Sequence, residues 1–151
     1  MKLYYRRAIS VIVLSAAITL LPFLSYAEWP ANAYNKHEIN SAISALYGGS
    51  PVVESKNITL NIPEIAENGA MVPVKVISDL KNIESISIFV EKNPSPLAAN
   101  FKIFKNQQGF VNTRIKLNKT SVVKAVVKAD GKLYSAERLV KITIPGCSGS
   151  I

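Results

Sequence analysis

One residue dominates the chemistry open to this chain. Cys147 is the only cysteine among 151 residues, and it lies in the closing run IPGCSGSI. A thiolate is a nucleophile and a group carrier, with a reactivity set by its pKa and its access. Gly146 and Gly149 restrict the backbone little. A stem of a few such residues reaches roughly 10–15 Å by random-coil scaling. Nothing in the adjacent sequence can bury the sulfur. No neighbour is placed to act as a base or to stabilise developing charge, so the pattern suits a thiol offered to another protein's site better than an enzyme of its own. A lone cysteine also fits an intermolecular disulfide, or no role at all. All three readings stay open on these residues alone.

The remaining candidates are weaker. His37 is the only histidine; it has no ligand cluster for a metal and no serine motif for a triad. Glu64 and Glu67 could form a carboxylate pair, but acids decorating a turn after a strand are the commoner meaning. Asn57 in NIT and Asn118 in NKT fit the glycosylation sequon, which is a weak pattern. YGGSP is a helix stop rather than a phosphate loop.

The elements that must position the thiol begin after a leader. MKLYYRR is basic, AISVIVLSAAITLLPFL is apolar, and Ser25 and Ala27 supply small residues before Glu28. That order predicts a signal peptide over residues 1–27, cut after Ala27. The apolar run of about 17 residues is short for a membrane span of ~20. The pair Arg6–Arg7 leaves the export route, general or twin-arginine, open. Cleavage removes Lys2, Arg6 and Arg7 and no acid, so the net charge of +8 becomes +5. The remaining lysines are scattered along alternating segments, which argues against nucleic-acid binding. In an oxidising compartment cysteines are usually paired, which makes the solitary Cys147 more conspicuous.

Residues 28–50 read as an N-terminal segment with one short helix: Ile39, Ala42, Ile43, Leu46 and Tyr47 recur at helical spacing. Asn35 and Glu38 suggest a capping box at its start. From residue 52 the period changes to two. NITLNIP, AMVPVKVIS, ESISIFVEKN, NFKIFK, GFVNTRIKL, TSVVKAVVKA and KLYSAERLVKITI alternate apolar with polar residues. ENG, NPSP, NQQG and ADG separate them, and Asp130-Gly131 marks a hairpin. About seven or eight short strands in this pattern predict an all-β, immunoglobulin-like antiparallel sandwich over residues 51–144. Pro73 inside a strand pattern points to an edge or a bulge. Edge strands need covering, which makes a β-protein partner a natural expectation. Residues 145–151 are left as a C-terminal arm bearing Cys147.

Four stretches resemble the SoxY family, the sulfur-binding subunits of the periplasmic SoxYZ carrier. They are IPEIAENGAMVPVKV, IFVEKNPSPLAANFKI, TRIKLNKTSVVKAVVKADGKLYSAERLVKITI and the terminal Gly146-Cys147. The resemblance implies an immunoglobulin-like fold and a heterodimer with the β protein SoxZ. It implies that Cys147 holds sulfur intermediates covalently. A cytochrome pair, SoxAX, would attach thiosulfate; a manganese hydrolase, SoxB, would release sulfate; a sulfane dehydrogenase, SoxCD, would oxidise the sulfur that remains. Heme and metal belong to those partners, and no cofactor is expected here. The tip departs from the family's Gly-Gly-Cys-Gly-Gly: it reads Pro145-Gly146-Cys147-Ser148-Gly149, then Ser150 and Ile151. Two alternatives keep the fold and change the role: an assembly module tethered through a Cys147 disulfide, or a related carrier serving another dehydrogenase system.

Overall fold

The computed structural model describes residues 30–104 and 107–144. Two helices come first, α1 (Ala31–Tyr34) and α2 (Ile39–Tyr47). Nine strands follow: β1 (Val52–Glu54), β2 (Ile58–Asn61), β3 (Ile65–Asn68), β4 (Val72–Ser78), β5 (Ile83–Val90), β6 (Leu97–Lys102), β7 (Gly109–Ile115), β8 (Ser121–Ala129) and β9 (Lys132–Ile144). They form two sheets. The larger runs β1-β9-β8-β5-β6, with β3 also on β9; the smaller runs β2-β4-β7.

Period-two alternation builds the core between the sheets. Val72, Val74 and Val76 of β4 face Ile86, Ile88 and Val90 of β5 and Val123, Ala125 and Val127 of β8, all fully buried. The other parity of β5 and β8 is not left to solvent. Phe89 and Val126, with Leu97 and Leu133, form a second apolar cluster under Ala42 and Ile43 of α2. This explains why β5 and β8 carry apolar residues on both faces. A polar chain adds direction to the contact. Tyr47 Oη lies 2.6 Å from Ser87 Oγ and 3.2 Å from Ser85 Oγ, and Ser87 Oγ donates to Asn100 Oδ1 at 2.8 Å.

The hairpin signal at Asp130-Gly131 is realised: both residues have positive φ, 49° and 71°, as a type I′ turn requires. Gly48, at φ 74°, ends α2 in the left-handed conformation, which glycine adopts at no steric cost.

Several expectations need correction. The capping box does not form: Glu38 is the cap of α2 and makes no side-chain cap bond, while Asn35 closes the separate turn α1. The cause is tertiary. Ser95 Oγ donates to the Tyr34 carbonyl at 2.6 Å and His37 Nδ1 lies 2.9 Å from the Pro94 carbonyl, so residues 34–37 are tied to the β5–β6 turn instead of entering one continuous helix. The sandwich is not wholly antiparallel, because β1 and β3 both pair parallel with β9. Pro73 lies on the central strand of the small sheet, yet β2 pairs β4 only from Lys75 to Ser78. At Pro73 β4 has β7 alone as neighbour, so the position is locally an edge, where proline is tolerated.

Candidate functional site at the root of the C-terminal arm

Cys147 and its flanks Pro145, Gly146, Ser148 and Gly149 lie outside the described residues, as do residues 1–27. What the structure describes is the strand that carries them. β9 runs for thirteen residues, roughly 40 Å at ~3.3 Å per residue, from the hairpin to Ile144, the last described residue.

Both flanks of that strand are occupied near its end. On one side β3 pairs in parallel, Ile65 with Lys141, Ala66 with Ile142 and Asn68 with Ile144. The Lys141 N–H donates to the Glu64 carbonyl at 2.8 Å, and Thr143 Oγ1 donates to the Glu67 carbonyl at 3.1 Å. On the other side β8 pairs as far as Ser121 with Val140. Beyond it the Ile142 N–H donates to Thr120 Oγ1 at 3.1 Å. The turn after β3 is itself fixed, since Asn68 Oδ1 accepts from the Ala70 N–H at 2.8 Å and the Gly69 carbonyl accepts from the Leu117 N–H at 2.7 Å. The root is therefore tied on both flanks, by β3 as far as Ile144 and on the β8 side as far as Ile142. Val140, fully buried, anchors it in the core.

The surroundings of the root are half apolar and half charged. Ile65 and Leu139 share the outer face of the large sheet and are 60% and 50% exposed. With Glu64, Arg138 and Lys141 they line a shallow cleft of about 430 Å³. Arg138 and Glu64 approach to 3.8 Å with both side chains largely in solvent, so the pair adds little stability.

The structure does not gather the other sequence candidates into one site, although Glu64 and Glu67 reach the root of β9 through their backbone carbonyls. His37 sits at the α1–α2 connection, its ring on a backbone carbonyl. Glu64 and Glu67 do not form a carboxylate pair. They flank and enter β3, and residues three apart on a strand point to opposite faces. Asn57, in the β1–β2 turn, takes its N–H to Ser55 Oγ, and the Asn118 N–H donates to Asn93 Oδ1. Among the described residues no three His, Cys, Asp or Glu side chains gather as a metal site. No helix among them is long and apolar enough to cross a membrane. The clamp formed by β3 and Thr120 was missed in the sequence: IAEN is too short to show a period, and a threonine beside a strand start carries no signal of its own.

Comparison with known proteins fixes the lineage. The family model for the sulfur oxidation protein SoxY matches residues 43–147. The chain belongs to the SoxY family. A solved structure, that of the sulfur carrier protein SoxY from Chlorobium limicola f. thiosulfatophilum, is 43% identical. It superposes with a TM-score of 0.65, covering 71% of this chain and 97% of that one. A superoxide reductase (neelaredoxin) from Ignicoccus hospitalis is 17% identical with a TM-score of 0.51, covering 59% of this chain and 82% of that one. It shares the fold alone. No curated protein sequence matches. The SoxY match begins within α2, takes in every strand and runs to Cys147.

Proposed function

We propose that this protein is a covalent carrier of sulfur intermediates in periplasmic thiosulfate oxidation, with Cys147 as the attachment point and residues 145–151 as the arm that presents it. The observation that carries the reading is the SoxY family match, which extends past the last strand to Cys147. The 43% identity to a protein described as a sulfur carrier supports it. The body of the protein suits the role: a clamped strand end gives the arm a fixed origin.

The chemistry balances with partners of defined class. Thiosulfate and the Cys147 thiol join through a new S–S bond, releasing one proton and passing two electrons to a c-type cytochrome oxidant of the SoxAX kind. Hydrolysis of the terminal sulfonate by a SoxB-type metallohydrolase consumes water, frees sulfate and leaves a persulfide on Cys147. A SoxCD-type dehydrogenase can then oxidise that sulfane sulfur. This chain supplies the thiol, the reach and the recognition surface, and a SoxZ-like subunit completes the carrier. Residues 1–27 direct export and are removed, residues 28–50 brace the sheet, and residues 51–144 form the carrier domain.

Pro145 fixes φ beside the thiol where the family carries glycine. Ser148, Ser150 and Ile151 enlarge the part that must enter a partner's channel. These changes fit a carrier adapted to its own set of enzymes.

The test is the intact mass of the protein from thiosulfate-exposed cells, before and after reductant, beside Cys147→Ser. The expected result is a reductant-labile sulfur adduct that the variant lacks. Bare thiol in cells that are oxidising thiosulfate, or a Cys147→Ser variant that still supports that oxidation, would sink the proposal. A reducible dimer without adduct would favour the disulfide tether.

A further inference from the structure

The two sides of the sandwich are finished differently. On one side β9 is covered by β1 at one end and β3 at the other, and β2 of the small sheet lies against it. On the opposite side β6 pairs only with β5, and β7 only with β4, among the described strands. These two edges lie against each other and leave backbone donors and acceptors unclaimed. A sheet edge of this kind is a template for a further strand.

The stretch of sequence that carries this side is rich in one sign of charge. Between Glu91 and Asp130 the sequence contains no Asp or Glu and eight Lys or Arg residues. Two of the eight lie on β8 and are answered by acids elsewhere, Lys124 by Glu137 at 2.8 Å and Lys128 by Glu84 at 2.7 Å. Lys102 ends β6, Arg114 is on β7 and Lys116 follows it, all exposed. Phe104 and Phe110, 64% and 48% exposed, stand beside them after β6 and at the start of β7. Phe104 also helps to line a cleft of about 1050 Å³ with Leu80, Ile83, Ile103 and Lys102; the two acids in that cleft, Glu84 and Asp130, are engaged by Lys128 and by the Asn82 side-chain amide. Lysines on an edge ordinarily keep strands apart. Here they repel another copy of the same edge and favour an acidic one.

We propose that the β6–β7 side docks an acidic edge strand of a partner β protein, with backbone ladder bonds giving affinity, Lys102 and Arg114 selecting the acidic partner, and Phe104 and Phe110 packing at the rim. The inference rests on the carrier reading for its choice of a protein partner. It leaves the Cys147 end of β9 free for enzymes, because that end and the β6–β7 edges lie on different sides of the sandwich.

The experiment pairs the mature chain with the recombinant SoxZ-like subunit and measures Kd at low and high salt. Lys102→Glu with Arg114→Glu is compared with a control reversal on the opposite side, Lys56→Glu with Lys132→Glu. The expected result is a Kd raised about tenfold or more for the first pair at low salt, mostly through slower association, and a control within about twofold of wild type. Amide exchange should slow along β6 and β7 in the complex. Equal binding by the two double variants overturns the proposal, as does protection centred on Ile65 and Leu139, or no complex at all. None of these outcomes bears on the Cys147 adduct, which is read from mass alone.

Discussion

Tyr47 shows how one hydroxyl can orient a helix on a sheet. Ser87 Oγ donates to Asn100 Oδ1, so its remaining capacity toward Tyr47 is as acceptor, and the chain of bonds runs Ser85 to Tyr47 to Ser87 to Asn100. Tyr47→Phe keeps the ring in the apolar cluster and removes two links. The expected cost is about 1 kcal/mol, the usual net value of such bonds, seen as a lowered midpoint in denaturant. A pH series adds a second readout. Burial raises the Tyr47 pKa above its ordinary 10.0, while the hydrogen bonds with Ser85 and Ser87 and the Lys128 charge pull the other way. A raised folded-state pKa gives a contribution that is intact below pH 10.0 and lost as pH rises through the folded value. The variant has no such group, so the gap between the two proteins should close under alkali. A constant gap would mean that the hydroxyl does not ionise on unfolding. The candidate attachment point, Cys147, stands out at this scale, since a lone cysteine in a tail of glycine and serine needs no structure to be noticed. Tyr47 was legible only as a helix-face residue; its polar partners come from strands far off in sequence.

At the scale of elements, length decided what could be read. Strands of six or more residues such as β4, β5, β8 and β9 show enough alternation to be placed from the sequence, and Asp130-Gly131 joins the last two. β1 and β3 have three and four residues without the alternating large apolar pair that marks the equally short β2, and their parallel pairing with β9 leaves no local mark. A close approach between strands and loops was also invisible. Gly109 opens β7 opposite Ser78, and a β-carbon there would meet the Ser78 carbonyl at 2.6 Å and the Ile83 side chain. Backbone cannot step aside as a side-chain tip can, so Gly109→Ala should destabilise by about 1–3 kcal/mol, the range for overpacking. Equilibrium unfolding checks it, and amide exchange should be fastest at the β4–β7 end that carries Gly109. A neutral substitution would show that β7 can shift away from β4, and would weaken the picture of β7 as a fixed edge.

For the whole molecule, the fold class followed from alternation and turn spacing, whereas the one-sided charge did not. The acid-free run from Lys92 to Ala129 was present in the sequence, yet lysines spread over nearly forty residues look dispersed until β6 and β7 are known to be neighbouring edges. The stability of the body has a simpler source. Antibody-type sandwiches rely on a disulfide between sheets, and a chain with one cysteine cannot form one. Cohesion comes from the buried aliphatic core and the second cluster beneath α2. Reductant should therefore leave the unfolding midpoint of the monomer unchanged, and Cys147→Ser should match wild type within about 0.5 kcal/mol, as surface changes generally do. Calorimetry on residues 28–151 with and without reductant, read beside mass and oligomeric state, is the check. If reductant lowers the midpoint by several degrees while converting dimer to monomer, the thiol is contributing to assembly, because a cross-link between copies makes stability depend on association. If reductant removes an adduct and the midpoint does not move, the sandwich is an independent support and the thiol is left free for chemistry.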